Sequence, residues 1–114
     1  MSGPVVILTL PRPPSCNNLF VNVGRKRVTS KRYKAWQTEA GWELQRQRPG
    51  RIAGEWQIDI ALPIGSVADL DNLAKPILDL LVKHRVVADD KFCTRLSVAK
   101  AKTLGSCIIT LRAA

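Results

Sequence analysis

Trp56, Ile58, Ile60 and Leu62 alternate with Gln57, Asp59 and Ala61, and further on Leu73, Ile77, Leu80 and Leu81 recur at three- to four-residue spacing. This change of hydrophobic period from two to 3.6 predicts a strand with one buried face, then an amphipathic helix whose apolar stripe packs on the sheet. The same change occurs earlier. Val5 to Leu10 is an aliphatic, β-branched run stopped by Pro-Arg-Pro-Pro, and it reads as a first strand. Ser30 can N-cap a helix to about Gln47, with Tyr33, Trp36, Ala40 and Leu44 on one side and Pro49-Gly50 as its stop. Pro11 to Thr29 between them reads as a loop or irregular ribbon. The second helix spans about Asp71 to His84, with His84 on its apolar face. Two strands follow, about Arg95 to Lys102 and Ser106 to Arg112, and Thr103-Leu104-Gly105 predicts a hairpin between them. The order β-α-β-α-β-β predicts an α+β fold, a mixed sheet packed with two helices.

At 114 residues the chain is expected to be one domain, 1–114, small enough that a homodimer would help to bury apolar surface. No apolar run approaches the roughly 20 residues that span a bilayer, and the start lacks the basic segment and cleavage site of a secretory signal. The expectation is a cytoplasmic protein without a membrane partner. Cys16, Cys93 and Cys107 show no zinc-ligand spacing and read as reduced thiols. His84 is the only histidine, which excludes mechanisms needing two and favours a structural role.

The net charge is +9, yet Asp69, Asp71, Asp79, Asp89 and Asp90, five of the nine acids, fall within 22 residues. That window carries −2 and the rest of the chain +11. A basic chain with an acidic island suggests a divalent cation held against a polyanion, and nucleic acid suits the basic part better than a membrane surface. Mg²⁺ takes oxygen ligands and keeps waters and substrate phosphates, so two or three aspartates make an incomplete cage for it. Each acid also has a plainer reading. Asp71 can N-cap the second helix. Asp71, Lys75, Asp79 and Lys83 form an i,i+4 row that can be a ladder of surface ion pairs. Asp89-Asp90 can be an ordinary turn. Asp90 approaches Asp71 only if the chain returns along the helix. Pro76 breaks the rule against proline inside helices, at reduced cost if it lies in the first turn and a half. Leu78 and Val82 project on the side of Asp71 and Lys75, so that side needs a cover, and a symmetric partner subunit is the preferred one.

The run DLDNLAKPILDLL, Asp69 to Leu81, followed by VADDK, Val87 to Lys91, resembles the RusA family of Holliday junction resolvases, known from bacteria, phages and prophages. PRPPSCNN, Pro11 to Asn18, is similar to that family's N-terminal motif, and GRKR, Gly24 to Arg27, looks like its basic loop. The resemblance covers nearly the whole chain. It implies a homodimeric α+β endonuclease of DNA recombination and repair that nicks four-way junctions in symmetric pairs with Mg²⁺, Mn²⁺ being an expected substitute. It further implies that Asp69, Asp71 and Asp90 bind the metal and that Lys75 is the catalytic lysine. Asn72 and Asp89 would act as their supports, and Leu78 and Val82 would meet their symmetry mates. Gly65 to Ala68 is not basic, as it is in some relatives, so DNA contacts are expected on Arg25, Lys26, Arg27, Lys31, Arg32 and Lys34, with Asn17 and Asn18 beside them. Two other readings compete: a non-enzymatic basic nucleic-acid-binding module, and a branch or flap nuclease without junction selectivity.

Overall fold

The computed structural model describes residues 5–14, 20–23, 26–63, 70–103 and 105–114, and at 20–23, 26–29 and 70–72 the backbone only. The elements are β1 (Val5–Pro11), β2 (Phe20–Val23), β3 (Lys26–Thr29), α1 (Lys31–Arg46), β4 (Trp56–Pro63), α2 (Leu70–Lys83), a 3-10 turn (Asp90–Phe92), β5 (Cys93–Ala101) and β6 (Ser106–Ala113). The expected α+β architecture is present: a mixed four-stranded sheet with two helices.

Sheet order is β1-β6-β4-β5, in which β6 runs antiparallel to both β1 and β4, and β5 lies parallel to β4. The expected β5-β6 hairpin is therefore not formed, because β4 lies between the two strands. Skipping one strand requires roughly 10 Å, twice the interstrand spacing. The four residues 102–105 reach up to ~13 Å when extended, so the link is long enough. Within the stretch expected to be a loop or irregular ribbon, β2 and β3 form an antiparallel ribbon that pairs Asn22 with Arg27 and Val23 with Lys26.

Alternation sorts the sheet residues as expected. Leu8, Leu10, Ile58, Ile60, Leu62, Ile109 and Leu111 are buried on the helix side with Leu73, Ile77, Leu80 and Leu81 of α2. Cys107 lies among them, and burial pushes its thiol up to about 12, so it stays protonated at neutral pH. Cys93 is a free thiol as well. The opposite face has no cover from the helices, and Val5 and Ile7 are exposed there.

Ser30 caps α1, its hydroxyl accepting from the Tyr33 N–H at 3.1 Å. Trp36 donates from Nε1 to the Pro11 carbonyl at 2.9 Å, which fixes the helix over β1. At its other end, Gln47 accepts from the Thr9 N–H at 2.8 Å and donates to the Thr9 carbonyl at 2.7 Å. These bonds pair part of the open edge of β1, the kind of edge that otherwise recruits other strands.

α2 departs from expectation in three respects. It begins at Leu70, so Asp71 is a helical residue of the first turn rather than the N-cap. Pro76 is therefore the seventh helical residue, beyond the first turn and a half, where its missing N–H removes a bond of the helix interior. His84 leaves the apolar face: it packs on α1 rather than on the sheet, its Nδ1 3.0 Å from Gln45 Nε2. The helix closes as a Schellman motif, with Arg85 N–H bonded to the Val82 carbonyl and Val86 N–H to the Leu81 carbonyl, both at 3.0 Å. Arg85 occupies the left-handed position (φ 59°) usually given to glycine, as Arg48 does after α1 (φ 51°).

Candidate active site

The acidic turn is anchored from the core. Trp56 opens β4 fully buried, and its indole N–H donates to the Asp89 carbonyl at 3.2 Å. Thr94 adds a second tie, from its hydroxyl to the Trp56 carbonyl at 3.3 Å. Asp89 caps the 3-10 turn, its carboxylate accepting from the Lys91 N–H at 3.0 Å. That bond, with a further one to the Asp90 carboxyl, holds Asp89 below the usual carboxylate range. Asp90 shifts the opposite way. The hydrogen bond with Asp89 raises its proton affinity first, and desolvation and the charge of Asp89 add to this. Two neighbouring carboxyls cannot both ionise freely, and one of them holds its proton more tightly.

Asp90 also lies within electrostatic reach of α2, where Lys75 lowers its pKa and Asp79 raises it. Lys75 is exposed, with Nζ 3.4 Å from Asp79 Oδ1. The return of the chain past α2 thus brings Asp90 within electrostatic reach of Lys75 and Asp79. Asp79 read in sequence only as a rung of the ion-pair ladder. One rung of it, 75–79, is formed, and both residues lie within electrostatic reach of Asp90. Trp56 read only as a strand residue, and nothing in its local pattern pointed to the acidic turn.

The other expected site residues divide by how much of them is described. Asp69, Arg25, Asn17 and Asn18 lie outside the described residues. Asp71 and Asn72 sit in the first turn of α2, and the backbone puts position 71 one turn before Lys75. Lys26 and Arg27 sit on β3. Lys31, Arg32 and Lys34 are exposed on the first turn of α1, which carries no acid. Cations there oppose the helix dipole, which favours anions at an N-terminus. Leu78 and Val82 are half-buried and pack against the core.

The donor set suits a hard cation. The candidate ligands are carboxylates, and the Asp89-Asp90 pair carries a like-charge conflict that a divalent cation would relieve. Among the described residues alone, no three His, Cys, Asp or Glu side chains form a metal site. No helix among the described residues is long and apolar enough to cross a membrane.

Residues 11–112 match the protein-family model described as endodeoxyribonuclease RusA. A search of curated proteins finds no match to the chain.

Proposed function

The chain belongs to the RusA family of endodeoxyribonucleases, and from that premise we propose that it is a Mg²⁺-dependent enzyme resolving four-way DNA junctions by paired symmetric nicks. The observation that carries this reading is the convergence of Asp90 with Lys75 and Asp79 beside the Asp89-Asp90 carboxyl pair. An exposed ammonium paired with one carboxylate and within reach of another, in a protein of net charge +9, supports it.

Asp69, Asp71 and Asp90 would hold the ion. When bound, Mg²⁺ polarises phosphoryl oxygens and lowers the pKa of coordinated water. The chain's own groups do the rest. Lys75 turns from Asp79 to the phosphate and offsets the charge that grows in the transition state. Asp89, fixed by the Lys91 N–H and by Trp56 through its carbonyl, sets the position of Asp90. Asn72 adjoins Asp71 and orients its carboxylate or a water. Lys26, Arg27, Lys31, Arg32 and Lys34, with Arg25, Asn17 and Asn18, draw in and position the DNA backbone. A homodimer through Leu78 and Val82 supplies two such sites related by symmetry, as paired nicks require.

The test is cleavage of a synthetic four-way junction and a matched linear duplex, each with Mg²⁺ and with a chelator. Symmetric nicks on the junction alone, and only with metal, are expected. Asp71→Asn and Asp90→Asn are expected to abolish them while junction binding persists. Cleavage by these variants at the wild-type rate would remove the proposed ligands from the mechanism. Metal-dependent cutting without junction preference would leave a less selective branch nuclease.

A further inference from the structure

Trp42 is 73% exposed, although tryptophan is highly buried on average. It lies off the buried stripe of α1, which is formed by Tyr33, Trp36, Ala40, Gly41 and Leu44. With His84 it lines a groove of about 920 Å³ between α1 and the C-terminal end of α2. Lys34, Arg46, Arg48 and Lys83 line the same groove, and among the described residues no acidic one does. Glu43 pairs with Arg46 from one turn away, which leaves Lys34, Arg48 and Lys83 as the cations of interest.

The groove is built rather than incidental. His84 is held by Gln45 and lies so close to α1 that a Cβ on Gly41 would come within 2.7 Å of its Nε2. Arg48 occupies a left-handed backbone position where glycine is the unstrained choice. Both helices end this way, so what marks Arg48 is its place in the groove lining, which Arg85 does not share.

We infer that this groove takes an unpaired stretch of DNA, with a base stacked on the Trp42 indole and phosphates met by Lys34, Arg48 and Lys83. Single-strand sites combine these two features, a cationic track and an aromatic platform. Charge also selects the occupant. A second copy meeting this face through two-fold symmetry would oppose like cations, whereas a polyanion complements them. The inference rests on the proposed action on branched DNA, where unpaired nucleotides arise. Lys83 is two i,i+4 steps from Lys75, ~12 Å along α2. A strand in the groove therefore lies within a few nucleotides of the acidic turn.

The test uses the full chain with a short oligothymidylate and a duplex of equal length, read by anisotropy and by tryptophan emission. Trp42→Ala is expected to weaken oligothymidylate binding by about tenfold or more and to remove the emission quenching, while Trp42→Phe stays within about threefold of wild type. Arg48→Gly is expected to lower the salt slope of binding by about 0.7. Unchanged oligothymidylate affinity in both Trp42→Ala and Arg48→Gly overturns the inference. So does a lost oligomeric state in Trp42→Ala with affinity intact, which would make the groove a contact between copies. Junction cleavage by the wild type is scored separately. Trp42-dependent binding without any cleavage upholds the groove and rejects the nuclease reading, and cleavage with Trp42-independent binding does the reverse.

Discussion

The indole N–H of Trp56 reaches the backbone carbonyl of Asp89 at 3.2 Å, so a fully buried side chain at the start of β4 holds the turn that carries Asp90. The position of the acidic turn is thereby tied to the packing of the sheet. Trp56→Phe keeps the packing of a ring but removes the donor. We expect a loss of about 2–4 kcal/mol in stability, about 1 kcal/mol of it for the bond and the rest for the cavity left by the smaller ring. Urea unfolding measures it. A parallel loss of junction cleavage is expected, and cleavage unchanged in a folded Trp56→Phe variant would show that the tether does not position Asp90.

Asp79 separates two accounts of the α2 row. As a surface ion pair with Lys75 it should contribute little, about 0.3–0.5 kcal/mol. Beside Asp90 it holds the Lys75 ammonium in place and adds negative charge to the proposed cation site. Asp79→Asn is therefore expected to leave unfolding nearly unchanged while weakening Mg²⁺ binding, measured by calorimetry on the DNA-free protein. Equal Mg²⁺ affinity in wild type and variant would return Asp79 to the surface ladder.

Gly41 and His84 should be energetically coupled. Alanine in place of glycine inside a helix normally gains about 1 kcal/mol. At position 41 the new Cβ meets His84 Nε2 at 2.7 Å, and the ring must move away from Gln45. Gly41→Ala should therefore gain less than this in the wild type and close to the full amount in a His84→Ala background. A double-mutant cycle of denaturation midpoints reads the difference, and strict additivity would mean the ring moves freely.

His84 also gives stability a pH dependence. Its pKa is lowered in the fold, first by burial and then by the charge of Lys83, so the unfolded chain binds the proton more tightly. Its contribution is complete above the unfolded value of about 6.5 and is lost as pH falls from there through the lowered folded value. The denaturation midpoint of the wild type should fall over that window more than that of His84→Gln. Parallel curves would show that the imidazole does not titrate differently on folding.

Arg48→Gly, unlike Arg85→Gly, should move stability and binding in opposite directions. Both sit in left-handed conformations, φ 51° and 59°, after their helices. A side chain there costs about 1–2 kcal/mol, of which glycine's greater freedom in the unfolded chain offsets about 0.5–1 kcal/mol. Either change to glycine should raise the melting temperature slightly. Only Arg48 lines the groove, so Arg48→Gly should in addition weaken oligonucleotide binding. Destabilisation by both would show that the arginines are held by contacts worth more than the strain.

The sequence determined the elements and their faces. Ser30, the Tyr33-Trp36-Ala40-Leu44 stripe and the Trp56–Leu62 alternation each depend on neighbours two to four residues apart, and backbone geometry fixes what those spacings mean. The roles proposed for Asp71 and Lys75 rest on the resemblance of a short motif and not on spacing. Strand order was not legible. The short link after β5 suggested a hairpin, but the parallel register of Ile58 with Leu96 and Ile60 with Val98 puts β5 on β4 instead. Pairing of that kind depends on contacts far apart in the chain, which no local window contains. The same holds for the tether from Trp56 to Asp89, the meeting of Asp79 with Asp90, and the groove that joins Trp42 to His84. Each depends on how α2 crosses between β4 and β5 and packs beside α1. Local spacing decided which residues share a face, and only the tertiary fold decided which faces meet.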